Sequence, residues 1–126
     1  MTNTDKPTIP PRTTGLAHFF AAASYSLAGF QRLWKEAAFR HEVGVGLIGL
    51  ALVAYFSDAA IQIVGFVVLW LMLAATEAMN TAIEVLVDHL SPQWAEFAKA
   101  AKDLGSFACA CMITATVLYA AWIVVF

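Results

Sequence analysis

Apolar and polar positions divide this chain into one amphipathic stretch and three long apolar ones. From Leu16 to Trp34 the apolar residues fall at positions 16, 19, 20, 23, 27, 30, 33 and 34, the period of a helix with one apolar face. His18, Ser24, Ser26, Gln31 and Arg32 interrupt it, so the segment suits a helix lying in the headgroup layer rather than one crossing it. A charge-dense stretch, Lys35 to Glu42, leads into three apolar segments at about 38–56, 60–87 and 104–126. Gly44, Gly46 and Gly49 in the first would permit close helix approach. Ser57-Asp58 breaks the first from the second. At ~28 residues the second exceeds the ~20 needed to cross, so its Glu77–Asp88 end should emerge into the interface. Pro92 and Trp94 mark a loop, after which Glu96 to Lys102 reads as helix running into the third span. The fold class predicted is an all-α membrane protein: a surface helix over 16–34 and three transmembrane helices in one domain, residues 15–126. Residues 1–14, with Pro7, Pro10 and Pro11 and no apolar run beside a cleavage site, read as a disordered polar tail without a signal peptide.

Composition agrees with lipid as the solvent. Of 126 residues 61% are hydrophobic, with a mean hydropathy of +0.74, more apolar surface than a soluble domain of this size can bury. The net charge of −2 says little, but its placement is informative. Lys6, Arg12, Arg32, Lys35 and Arg40 precede or open the first span, Lys99 and Lys102 follow the second, and the Ser57–Ala60 turn has none. The positive-inside rule then places the N-terminus and the Asp88–Asp103 loop in the cytoplasm and the C-terminus outside. Cys109 and Cys111 point about 200° apart on a helix and read as packing residues, neither a disulfide nor a metal pair. His18, His41 and His89 have no metal-ligand spacing. Trp34, Trp94 and Tyr25 fit an interfacial aromatic belt. Neither a Walker A sequence nor a dinucleotide fingerprint occurs, and nothing points to a nucleic-acid partner.

The candidate chemistry lies on the second span. Glu77, Asn80 and Glu84 are spaced i, i+3, i+7 and share one helix face. A carboxylate deep in a span costs about 2–3 kcal/mol, so such residues are usually functional. Glu77 and Glu84 lie roughly 10 Å apart along the axis, too far to close on one Mg²⁺ at about 2.0–2.1 Å. Distinct roles follow: Glu84, nearer water, suits a cation, and Glu77, deeper, suits a general base. A metal on Glu84 needs a further oxygen ligand, and Glu36, on the same cytoplasmic side, can supply it. Lys102-Asp103-Leu104-Gly105-Ser106 opens the third span, with a lysine placed to meet a phosphate. The simpler alternative is that these carboxylates merely pair with Arg40, Lys99 or Lys102, and that Lys102 is a snorkelling anchor.

Glu36-Ala37-Ala38-Phe39-Arg40 with Glu42, then Glu77-x-x-Asn80-Thr81-Ala82-Ile83-Glu84 continuing to Asp88, then Ala101-Lys102-Asp103-x-Gly105-Ser106, resembles the small prokaryotic integral-membrane diacylglycerol kinases. Tyr25-Ser26-x-x-Gly29 fits the same pattern, and the resemblance runs from about Gly15 to Phe126. It implies a homotrimer in the bacterial inner membrane that transfers the γ-phosphoryl of MgATP to diacylglycerol, yielding phosphatidate in phospholipid metabolism. It assigns Glu77 to the general base, Glu36 and Glu84 to the metal and the nucleotide, and Tyr25, Lys102 and Asp103 to the nucleotide. Asn80, Arg40, Glu42 and Ser106 join Glu77 on the acceptor side. The chain departs from the pattern at Lys35, where asparagine is usual, at His18, where arginine is typical, and in a Trp34–Glu36 stretch one residue shorter.

Two rival functions remain on the sequence. An undecaprenol kinase would share the mechanism with another acceptor. A proton- or cation-coupled transporter would also carry membrane carboxylates, but gives no reason for Lys102-Asp103 beside them.

Overall fold

The computed structural model describes residues 14–126; the polar tail expected before Thr14 lies outside them. The described residues form four helices and no strand: α1 (Leu16–Leu33), α2 (Ala37–Phe56), α3 (Ala60–Leu90) and α4 (Glu96–Val125). The chain divides into two units, one ending at Arg32 and one running from Leu33 to Phe126.

In the first unit, Gly15 takes a left-handed φ of +66° just before α1, a conformation that glycine adopts without steric cost. Its carbonyl accepts from the His18 and Phe19 amides and so starts the helix. Phe19, Phe20, Tyr25 and Leu27 of α1 are all exposed, as expected of a helix whose apolar face meets lipid.

The second unit holds three helices long and apolar enough to cross a membrane. Each satisfies its backbone internally, which a spanning segment must do. Side chains extend that economy: the Thr76, Thr114 and Thr116 hydroxyls donate to carbonyls four residues back. At the turn between α2 and α3, Gln62 Oε1 accepts from the Asp58 and Ala59 amides, capping α3. With 31 residues, α3 is about 46 Å long, more than the ~30 Å hydrocarbon layer. Its Glu77–Leu90 half therefore has length to spare beyond the apolar core. α4 is continuous from Glu96, so Lys102 and Asp103 sit on helix and not in a loop.

α3 and α4 pack most extensively, and α2 touches both. Val53, Phe66 and Ile123, one from each helix, form the buried core. Small residues let the helices approach, as expected where lipid removes the water-transfer driving force. Phe66 lies over Gly49, where an added Cβ would stand 2.8 Å from its ring, and Trp70 lies over Gly46. Gly44 faces open space instead, because it is on the other side of α2; only Gly46 and Gly49 of the three fill the expected role. On α4, the Tyr119 hydroxyl donates to the Gln62 carbonyl at 3.1 Å, passing close to Gly65. Large apolar side chains such as Tyr55, Ile61 and Phe107 point outward, an arrangement stable in lipid and not in water.

Candidate active site

The C-terminal half of α3 carries Glu77, Asn80 and Glu84, each half-buried. Asn80 Nδ2 donates to Glu84 Oε1 at 2.9 Å, the contact that i, i+4 spacing permits. The hydrogen bond orients Glu84 and engages only one of its two oxygens. The Asn80 Oδ1 atom is buried without a hydrogen-bond partner. It lies against the buried Gly105 of α4, where an added Cβ would stand 3.1 Å from Asn80 Cγ. α4 thus closes on the polar face of α3 because position 105 has no side chain.

The basic residues have other partners. Lys102 Nζ pairs with Asp88 Oδ1 across the α3–α4 loop, and Lys99 pairs with Asp103 one turn along α4. Arg40 donates to the Trp34 and Lys35 carbonyls at 3.0 and 2.8 Å, fastening the start of α2. Simple ion pairing with Arg40, Lys99 or Lys102 therefore does not account for Glu77 and Glu84. Lys102 does lie within the electrostatic field of Glu84, so α4 brings a cation towards the carboxylates of α3. Asp88, Lys99, Lys102 and Asp103 line a cavity of about 460 Å³ with Ser91 and the exposed Trp94, a size suited to a small-molecule ligand.

A second cavity of about 590 Å³ lies among α2, α3 and α4. Its walls are apolar apart from Thr116, whose hydroxyl is spent on the Met112 carbonyl, and from His41, Glu42 and Glu77. Glu36 takes the N-cap position of α2 in extended backbone (φ −74°, ψ 127°) and is half-buried. Ser106 is exposed beside Gly105, and Tyr25 is exposed on α1. Among the described residues no three or more His, Cys, Asp or Glu converge as a metal cage. Magnesium does not need one: one or two carboxylates with substrate phosphates and water suffice. The hard oxygen of Glu84, oriented by Asn80, fits that requirement.

Several neighbours of the site were not assigned to it from the sequence. Asp88 and Lys99 engage the two predicted nucleotide residues, and His41 shares a cavity with Glu77. Lys99-x-x-x-Asp103 was readable as an i, i+4 pair. Asp88 and Lys102 stand 14 positions apart on different helices, a separation with no periodic signal. Cys109 is free and buried as a packing residue should be, but it also lies within the field of Glu77.

A family profile described as prokaryotic diacylglycerol kinase matches residues 24–126. The chain belongs to that family. A diacylglycerol kinase from a Sinorhizobium species is 50% identical over 117 residues, covering 91% of this chain and 84% of the relative. The Haemophilus influenzae diacylglycerol kinase is 35% identical over 75% of this chain and 81% of its own length. That of Escherichia coli K12 is 34% identical over 76% and 80%. The matched region spans all three membrane-crossing helices and most of α1, so the family's kinases share the part of the chain that builds the polar face.

Proposed function

We propose that this protein is an ATP-dependent lipid kinase that phosphorylates diacylglycerol at the cytoplasmic face of the bacterial inner membrane. The observation that carries the reading is the meeting of α3 and α4: the Asn80–Glu84 pair seated on Gly105, with Lys102 within the field of Glu84. Phosphoryl transfer asks the protein chiefly to align reactants and to neutralise charge. Lys102 and Asp103 meet the nucleotide in the 460 Å³ cavity, and the family resemblance adds Tyr25 as a nucleotide residue. Glu36 and Glu84 would hold magnesium, which would supply charge neutralisation for the transfer. Glu77, on the apolar cavity, takes the proton from the lipid hydroxyl, while Arg40, Glu42, Asn80 and Ser106 hold the acceptor end. ATP reaches the site from water and the lipid enters sideways from the bilayer. The positive-inside arrangement supports a cytoplasmic N-terminus and an outward C-terminus. A homotrimer, with sites shared between neighbouring subunits, completes the reading.

The names of the relatives favour diacylglycerol over undecaprenol as acceptor. Labelled ATP offered in mixed micelles with each lipid, with Mg²⁺ present or chelated, tests the assignment. Mg²⁺-dependent labelling of diacylglycerol that vanishes in Glu77→Gln is expected. Preference for undecaprenol would transfer the chain to the rival acceptor, and no labelling of either lipid by folded protein would refute a kinase. Mixed oligomers of Glu77→Gln and Glu36→Gln should regain activity if the site is shared between subunits.

A further inference from the structure

Glu77 is not the only carboxylate on the apolar cavity. Glu42 lines the same space from α2, both of its oxygens are buried, and neither has a hydrogen-bond partner. A carboxylate in that condition has given up hydration without compensation. The field of Glu77 acts on it as well, so its neighbour adds like-charge repulsion. The helices do not need it for packing, since their core is Val53, Phe66 and Ile123. His41, the next residue, lines the same cavity and is exposed. Glu77 of α3 and His41 of its own helix line the cavity with Glu42, and Cys109 of α4 lies within its field.

The reaction poses a problem that these residues answer. If Glu77 is the base, every turnover leaves a proton on it in a cavity lined largely by apolar residues such as Trp70, Leu73 and Ile113, none of which can carry a proton away. We propose that Glu42 and His41 form the proton exit of the active site, with Glu42 relaying the proton from Glu77 and His41 releasing it to water. This rests on the reading of Glu77 as general base. The acceptor oxygen bonds to the γ-phosphorus as the bond from that phosphorus to the bridging oxygen of ATP breaks, and the hydroxyl proton passes to Glu77. The Glu77 acid gives that proton to the Glu42 carboxylate, Glu42 gives it to the His41 imidazole, and His41 returns it to bulk water. All three side chains regain their starting state, and the sum is lipid alcohol plus ATP giving lipid phosphate, ADP and one proton. The cavity has room for bridging waters, each occupying about 30 Å³. Histidine is the side chain suited to exchange protons with water near neutral pH.

The test uses the full-length protein in mixed micelles with MgATP and diacylglycerol, following kcat and both KM values against pH in H₂O and D₂O. His41→Ala should lower kcat about tenfold at low buffer with both KM values unchanged, and added imidazole should restore it. Glu42→Gln should lower kcat by a similar or larger factor and enlarge the solvent isotope effect. A His41→Ala enzyme that turns over at the normal rate and ignores imidazole would overturn the proposal. So would a Glu42→Gln enzyme altered only in lipid KM, which would make Glu42 a binding group alone. If Glu42→Gln fails to fold, the exposed His41→Ala with its imidazole response decides the matter. Full activity in Glu77→Gln would instead remove the general base, a failure of the underlying reading that is distinct from a failure of the relay.

Discussion

Replacing Gly105 by alanine puts a methyl group into the carboxamide of Asn80, 3.1 Å from Cγ and in overlap with Oδ1. Two effects oppose each other. Alanine favours the helix by about 1 kcal/mol over glycine, and overpacking a tight contact costs about 1–3 kcal/mol. Asn80 can escape the overlap only by turning, which gives up its 2.9 Å hydrogen bond to Glu84. A hydrogen bond to a charged group contributes about 1.5–3 kcal/mol, and losing the partner that orients a metal ligand typically costs about 10–100-fold in metal affinity. Gly105→Ala should therefore shift the Mg²⁺ activation curve upward by about 10–100-fold while leaving the protein folded. The assay is lipid phosphorylation against free Mg²⁺ at saturating ATP, with thermal unfolding in detergent alongside. Gly44→Ala is the control, because nothing lies within 4 Å of the added carbon, and its Mg²⁺ curve should not move. Once Asn80 is truncated, in the Asn80→Ala background, Gly105→Ala should be neutral or stabilising. A normal Mg²⁺ dependence in Gly105→Ala, or equal effects of Gly105→Ala with and without Asn80, would refute the coupling of α4 to the site through this contact.

Other outcomes follow from the same geometry. Glu84→Gln should weaken Mg²⁺ activation, with partial recovery at high Mg²⁺; recovery by ATP alone would argue that Glu84 meets the nucleotide and not the metal. Lys102 and Asp88 are 41% and 66% exposed in their pair, so Lys102→Met should leave stability essentially unchanged. Its KM for ATP should nevertheless rise about tenfold or more, and a normal KM would remove Lys102 from the nucleotide site. Phe66→Ala empties the space over Gly49 and should destabilise by about 1–2 kcal/mol in detergent or lipid. That is less than the ~3–5 kcal/mol of a soluble core, because lipid replaces water as the reference for the lost contacts. A fall in the thermal midpoint with unchanged KM values checks it.

The four helices were legible because the bilayer sets a length and a composition that local sequence must meet. The segments expected at 16–34, 38–56, 60–87 and 104–126 correspond to helices at Leu16–Leu33, Ala37–Phe56, Ala60–Leu90 and Glu96–Val125. The extra turns of α3 and α4 flank the loop that joins them, where polar residues no longer report apolar length but backbone hydrogen bonding continues. The face bearing Glu77, Asn80 and Glu84 was legible too, since residues three, four and seven apart on a helix must share a side.

What the chain alone left open is which groups meet across helices. Gly44, Gly46 and Gly49 look alike in sequence, and only the rotation of α2 against α3 directs two of them at Phe66 and Trp70. Lys99 and Lys102 were equal candidates to neutralise Glu77 and Glu84, and the fold pairs them with Asp103 and Asp88. Gly105 showed only that something could come close, and the packing of α4 makes that something Asn80. Nothing local joins Glu42 to Glu77, which reach one cavity from separate helices. Periodicity and hydropathy act within a segment and can be read from it. Register and rotation between segments depend on how side chains interlock at the contact, and only the tertiary structure decides them.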